Sequence, residues 1–176
     1  MKKNLCIIPI WNEKTHILKL LKNIRKFKSR YKLDYLFINN GSTDSSEKIV
    51  RNFNYQLHSF KTNQGIGYAL LQGYIYAIKK NYNVVLHLAG NNKMRPNEID
   101  RFLDKIYLNN FDFVNGSRYL KGAKNVNVPI IRNFFISSYS IIINFLYRSN
   151  ITDTTCGFRA FKVKKFIKMT KILKFK

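Results

Sequence analysis

Leu33-Asp34-Tyr35-Leu36-Phe37-Ile38-Asn39-Asn40-Gly41-Ser42-Thr43-Asp44-Ser45-Ser46-Glu47 is the stretch whose reading decides the fold class. Residues 33–38 are rich in apolar and aromatic side chains and read as a strand. Asn40-Gly41 by itself is also a hairpin signal. Asp44 and Glu47, however, are spaced like a capping box, so the chain is expected to leave the strand for a helix. The same unit precedes it. Residues 5–10 form a continuous apolar run, as in a strand buried on both faces. Ile17, Leu20, Leu21, Ile24 and Phe27 then recur at helical spacing among Lys and Arg. Further along come strand 55–60, a Gly-containing loop, helix 67–79, strand 84–88, helix 97–107 and strand 111–114. This alternation predicts an α/β fold, a mostly parallel central sheet flanked by helices. From residue 121 the pattern becomes a polar loop, an apolar helix at 133–147, a loop at 151–161 and a basic tail at 162–176. No linker separates two domains.

Ligands of such sheets bind beyond the carboxyl ends of the strands. Polar clusters fall at that edge: Asn12-Glu13 after strand one, 39–44 after strand two, 63–67 after strand three and 90–93 after strand four. Gly65-Ile66-Gly67 begins like a dinucleotide fingerprint, but Leu70 stands at its sixth position and the setting is wrong. His16, His58 and His87 show no metal-ligand spacing.

The 176 residues carry 32 Lys+Arg against 9 Asp+Glu, a formal charge of +23. That excess calls for an anionic partner: a membrane surface, a phosphorylated substrate or a nucleic acid. No zinc pattern or RNP-like aromatic motif supports nucleic acid. With 45% hydrophobic and 15% aromatic residues, a disordered chain is excluded. Cys6 and Cys156 show no pairing pattern, which suits a reducing cytoplasm. The apolar start is too short for a secretory signal. Helix 133–147, interrupted by Ser137, Ser138, Ser140 and Asn144, falls short of the roughly 20 residues of a membrane span and reads as buried or interfacial. The tail alternates Val163, Phe166, Ile167, Ile172, Leu173 and Phe175 with lysines. It reads either as a basic amphipathic helix on an anionic bilayer or as a solvated terminal helix.

Together the clusters resemble a known family. Ile7-Ile8-Pro9-Ile10-Trp11-Asn12-Glu13 is similar to the opening strand of family 2 glycosyltransferases, which have the GT-A (Rossmann-like) fold. Asn39-Asn40-Gly41-Ser42-Thr43-Asp44 resembles their Asp-Asp-Gly-Ser-x-Asp, and Asn63-Gln64-Gly65-Ile66-Gly67-Tyr68-Ala69 their Asn-x-Gly-x-Gly-x-Ala. Asn115-Gly116-Ser117-Arg118-Tyr119 and Thr152-Asp153-Thr154-Thr155-Cys156-Gly157-Phe158-Arg159 look like the branch of dolichyl-phosphate mannose synthase and the polyprenyl-phosphate glycosyltransferases. The resemblance covers about residues 4–162. It implies one domain over 1–176, with a nucleotide-sugar half (1–120) and an acceptor-side region with the tail (121–176). It further implies a UDP- or GDP-sugar donor bound by Pro9, Asn12, Glu13, Asn40, Ser42, Asp44, Asn63 and Gly67. The diphosphate would lie at Gly90, Asn91, Asn92 and Lys93. Relatives carry Asp-x-Asp there for Mg2+ or Mn2+, whereas this loop offers a cation only the amides of Asn91 and Asn92. Lys93 is the candidate to neutralise the diphosphate instead.

Inverting transfer to an alcohol needs a general base, and Asp153 is the candidate in the acceptor-side motif. A phosphate acceptor is already ionised at neutral pH, its second pKa being about 6. Arg118, Arg132 and Arg159 could hold such a phosphate, because guanidinium forks match its geometry. The resemblance thus implies a polyprenyl-phosphate acceptor on the inner, cytoplasmic membrane face, with a membrane-protein partner or a homodimer as further expectations. Two other readings stay open. A sugar-nucleotide nucleotidylyltransferase would have a Gly-rich loop where Trp11-Asn12-Glu13 stands. A non-catalytic nucleotide- or membrane-binding protein would suit the missing carboxylates at 90–93, but not Asp153 and Arg159.

Overall fold

β1 (Asn4–Ile10) lies in the middle of a six-stranded sheet of order β3-β2-β1-β4-β6-β5. Its continuous apolar run is buried on both faces, with Pro9 alone half-buried. β2 (Leu33–Asn40), β3 (Gln56–Phe60) and β4 (Val84–His87) run parallel to it. β5 (Phe113–Asn115) closes the far edge through β6 (Arg159–Lys162), which is antiparallel to both β4 and β5. The structure is a computed structural model and describes residues 2–120, 130–148 and 150–172.

β6 corrects the expectation of a loop over 151–161. Its four residues begin with Arg159 and end with Lys162, so no apolar run or alternation marks them. The strand exists because the buried Ala160 and Phe161 fill the gap between β4 and β5.

Successive residues of a strand face opposite sides, and β1 shows the consequence. Cys6, Ile8 and Ile10 join the core beneath α1 (Lys14–Lys26) and α4 (Ile99–Tyr107, after a 3-10 turn at Pro96–Glu98). Leu5 and Ile7 join the core beneath α3 (Ile66–Lys79). A Cβ on Gly73 of α3 would come within 2.6 Å of Ile7 Cδ1, so glycine allows this helix to approach the sheet. α2 (Ser46–Asn52) follows β2 as expected, without the capping box. Glu47 instead accepts from Asn39 and Arg51, while Asp44 Oδ1 accepts from the Ser46 N–H at 2.9 Å.

Asp100 and Asp104 of α4 accept from Ser29, Arg30 and Tyr31, which ties the α1–β2 connection to α4. The tail forms α6 (Val163–Ile172), and its apolar side is used inside the fold. The Phe166 ring lies 4.8 Å from Tyr74 and 5.2 Å from Phe161, with Lys164, Lys165 and Lys168 exposed. Residues 173–176 lie outside the described residues. α5 (Ile130–Tyr147) is the apolar helix. Among the described residues no helix is long and apolar enough to cross a membrane.

Candidate active site

Pro9 opens the cleft. The Leu88 N–H donates to the Ile7 carbonyl at 3.0 Å, so Ile7 presents its backbone groups to β4. By alternation Pro9 would do so next, but it has no N–H to give. The β1–β4 register ends at Ile7 and His87, whereas β1–β2 runs on to Ile10 and Asn39. The sheet therefore parts between its first and fourth strands, where chain order reverses.

The loops around this opening are stapled by amides. Asn12 adopts φ 52°, and its Oδ1 accepts the N–H groups of Thr43 (2.8 Å) and Asp44 (3.3 Å). In return Ser42 Oγ accepts the Asn12 N–H at 3.0 Å, Ser46 Oγ that of Glu13 at 2.7 Å, and Asp44 Oδ2 that of Lys14 at 2.9 Å. Burial would raise the Asp44 carboxyl, but its bonds from Ser46 and Lys14 outweigh that and hold it below the usual carboxylate range. Glu13 sits 3.3 Å from His16 through Oε2 and Nδ1. The second and third loops meet at Gly41, which has φ 70°. A Cβ there would lie 2.4 Å from the Thr62 carbonyl carbon. Beside it Asn40 Nδ2 donates to Asn63 Oδ1 at 2.8 Å, and Asn40 Oδ1 accepts the Gln64 N–H at 3.0 Å. Gly67, in the first turn of α3, has open space where a Cβ would stand.

The loop after β4 leans on the first. A Cβ on Gly90 would meet Ile10 Cγ2 at 2.7 Å and the Pro9 carbonyl at 3.0 Å. Asn91 Oδ1 accepts the Lys93 N–H at 3.1 Å, closing a small turn that leaves Lys93 exposed. Asn92 Oδ1 is taken by the Asn23 amide of α1 at 3.1 Å. Among the described residues no group of three His, Cys, Asp or Glu side chains could hold a metal ion.

Across the cleft, the two acceptor-side motifs form one unit around Asp153, whose side chain is fully buried. Arg118 Nε donates to Oδ2 at 2.7 Å and one of its terminal nitrogens to Oδ1 at 2.9 Å. The Arg118 backbone N–H adds 3.2 Å, and Thr155 donates from both N–H and hydroxyl at 3.1 Å. Burial pushes the Asp153 carboxyl up, but these bonds prevail and hold it below its ordinary range. Arg159 is pinned by the carbonyls of Cys156 (2.8 Å) and Thr154 (2.9 Å) and by Asn115 Oδ1 (3.1 Å). Among the described residues Arg159 has no carboxylate within ion-pair distance. The side chain of Arg132 lies outside the described residues.

Two participants had not been singled out. Asn115 bridges the unit, donating to the Asp153 carbonyl at 2.6 Å while accepting from Arg159; its place at the head of Asn115-Gly116-Ser117-Arg118-Tyr119 is its only signal in the sequence. His87, at the end of β4, bonds the Tyr74 hydroxyl at 2.7 Å. Burial and then the Arg159 charge push its imidazole down to about 4. A lone histidine in an apolar strand gave no hint of this.

The family model described as Glycosyl transferase family 2 matches residues 5–170. An uncharacterized protein of Methanocaldococcus jannaschii is 31% identical over 173 residues, covering 91% of this chain and 72% of that protein. A dolichyl-phosphate beta-glucosyltransferase of Dictyostelium discoideum is 27% identical over 172 residues, covering 88% of this chain and 52% of its own. Among solved structures, a mannosyltransferase from Pyrobaculum calidifontis in complex with GDP-Man and Mn2+ superposes with a TM-score of 0.66 at 17% identity. That match covers 95% of this chain and 46% of the mannosyltransferase. The chain thus spans about half the length of the last two proteins. The expected GT-A architecture, an α/β sheet flanked by helices, is present.

Proposed function

The chain belongs to glycosyl transferase family 2, and on that premise we propose that it moves a sugar from a UDP- or GDP-sugar to a polyprenyl-class lipid phosphate. The observation that carries this reading is the pairing of Arg118 with the buried Asp153 beside a pinned, carboxylate-free Arg159. Two oriented guanidinium groups at one rim of the cleft suit a phosphate. Asp153 then positions Arg118, since its oxygens already accept from Arg118 and Thr155, and a carboxylate so engaged is a weak base. A phosphate acceptor does not need one.

In the proposed step an acceptor phosphate oxygen attacks the anomeric carbon from the face opposite the donor diphosphate. The bond from that carbon to the diphosphate oxygen breaks, and its electron pair leaves with the nucleoside diphosphate. The configuration inverts. Pro9, Asn12, Glu13, Asn40, Ser42, Asp44 and Asn63 would line the nucleoside pocket, with the bare Gly67 giving ligand and backbone room to approach. Lys93 would face the developing negative charge of the leaving group. A divalent cation, which the family's usual Asp-x-Asp holds, does not fit here: Asn91 and Asn92 are neutral, and their oxygens serve Lys93 and Asn23. No step is routed through one. A lipid acceptor would place the protein on the cytoplasmic face of the membrane.

The test is to incubate purified protein with radiolabelled UDP- and GDP-hexoses and polyprenyl phosphate, and to follow label into the organic phase. Transfer from one donor, with inverted configuration, is expected. No transfer from any donor, where a known transferase succeeds in the same vesicles, would overturn the reading.

A further inference from the structure

We propose that one side of α5 seats the protein on an anionic lipid bilayer. Ile136 and Ser140 are buried, but Tyr139, Ile142, Phe145 and Leu146, spaced three and four apart, share another side and are 57%, 53%, 84% and 63% exposed. Contiguous apolar side chains on one helix mark an interaction surface rather than scattered exposure. Charge selects the occupant. Asp153 is the sole acid in residues 113–176, and it is buried against Arg118. Arg148 stands exposed just beyond α5, and Lys164 and Lys168 are exposed on α6, whose Lys165 pairs with Asp112 at 2.9 Å. A second copy of a chain with formal charge +23 would be repelled. A negatively charged bilayer attracts so cationic a chain and accepts the apolar side chains of α5.

A clamp links the surface to the acceptor loop. On α5 Asn144 Nδ2 donates to the Ile151 carbonyl at 2.9 Å, and Asn144 Oδ1 accepts the Ile151 N–H at 2.8 Å. Two residues later the chain reaches Asp153 and its fork to Arg118, and Thr152 donates to Ser117 at 2.6 Å. A helix lying in the lipid surface therefore holds Arg118 close to the plane in which a lipid phosphate travels. This link rests on the function proposed above; the docking surface does not.

The experiment is flotation of the purified chain with vesicles of phosphatidylcholine alone or mixed with phosphatidylglycerol. Binding to the mixed vesicles, weakened by salt, is expected. Phe145→Ser and Leu146→Ser should each reduce partitioning by about tenfold or more, since each removes an apolar side chain from the lipid. Both sites are solvent-exposed, and unchanged melting temperatures will show that the fold is kept. Phe145→Trp supplies a positive probe: its added emission should move to the blue with mixed vesicles. Equal partitioning of wild type and serine variants would overturn the proposal. So would a lipid-free dimer that Phe145→Ser splits, which would make the surface a self-association interface. Floating protein that transfers no sugar would keep the docking surface and sink the lipid-acceptor reading alone. Sugar transfer without flotation would do the reverse.

Discussion

Arg118 grips Asp153 with two parallel bonds, 2.7 and 2.9 Å long, the carboxylate being fully buried and the guanidinium 28% exposed. On the function proposed above, the arrangement orients Arg118 toward an acceptor phosphate, and Asp153 serves to position it. Asp153→Asn keeps the shape and deletes the charge. It should destabilise the fold by about 3 kcal/mol or somewhat less, since Arg118 keeps partial access to water. Because the folded Asp153 pKa is depressed, its contribution is present above the ordinary value of 3.8 and lost as pH falls below it. Chemical denaturation of wild type and variant should therefore converge in acid. A constant gap from pH 7 down to pH 3 would show that the pair is not the source.

Asn40 and Asn63 act as a matched pair of amides, so restoring the family's usual carboxylate should be harmful. In Asn40→Asp the new oxygen would face Asn63 Oδ1, 2.8 Å from the lost donor. Turning Asn63 over would leave the Gly65 N–H, now bonded at 2.8 Å, without its acceptor. A loss of about 1–3 kcal/mol is expected from either outcome. The double variant Asn40→Asp/Asn63→Ser should recover part of it. Scanning calorimetry on the three proteins decides, and an unchanged or higher Tm in the single variant would count against the pairing.

Asn12→Ala should weaken nucleotide binding by about tenfold, because the N–H groups of Thr43 and Asp44 lose their acceptor. Alanine also tolerates the left-handed φ of 52° poorly, by about 1–2 kcal/mol. Asn12→Asp keeps both the acceptor and the tolerance of that conformation, so it should bind within about threefold of wild type. Calorimetric titration with UDP and GDP reads both. Equal affinity in all three proteins would separate this loop from the donor.

What the sequence revealed and what it hid follow one physical division. β1 was legible because a strand buried on both faces reads as an apolar run, and β2 through its apolar stretch at 36–38, while the order of polar clusters pointed to the sheet edge where the loops meet. β6 was hidden because four residues with charged ends carry no periodicity; only the neighbours β4 and β5 make it a strand. The same holds in the site. Arg118 and Asp153 were each visible as members of a motif, yet their bond joins positions 35 residues apart and cancels two separate charges. Asn12 and Asn63 were visible as polar loop residues. Their role as acceptors for neighbouring backbone depends on how adjacent loops stack.

His87 makes the protein acid-sensitive in a window distinct from that of Asp153. Its imidazole is pushed down to about 4 from an ordinary 6.5. The unfolded chain therefore takes up a proton between those values that the folded chain refuses. Stability should fall as pH drops from about 6.5 to 4, by roughly 3 kcal/mol at full extent. His87→Gln can keep the bond to Tyr74 and cannot titrate, so its denaturation midpoint should fall much less steeply across the window. An equally steep fall in the variant would assign the effect elsewhere.

Metal dependence is the last expectation, and it can be tested in both directions. The loop of Gly90–Lys93 has Asn91 turned onto the Lys93 N–H and Asn92 onto Asn23, so the loop itself offers a hard cation no anionic oxygen. The carboxylate side chain beside Gly90 is that of Glu13. Exhaustive chelation should lower sugar transfer by no more than about twofold to threefold if Lys93 neutralises the leaving diphosphate. Lys93→Ala should then cost about ten- to a hundredfold in turnover, as expected for a charge-assisted contact worth roughly 1.5–3 kcal/mol in the transition state. Asn91→Asp supplies the missing charge beside Lys93. It should raise Mn2+ affinity, read by calorimetry without reference to activity, and make transfer more sensitive to chelation. Wild-type transfer abolished by chelator and restored by micromolar Mn2+ would assign the leaving group to a metal. Lys93 would then be a surface charge.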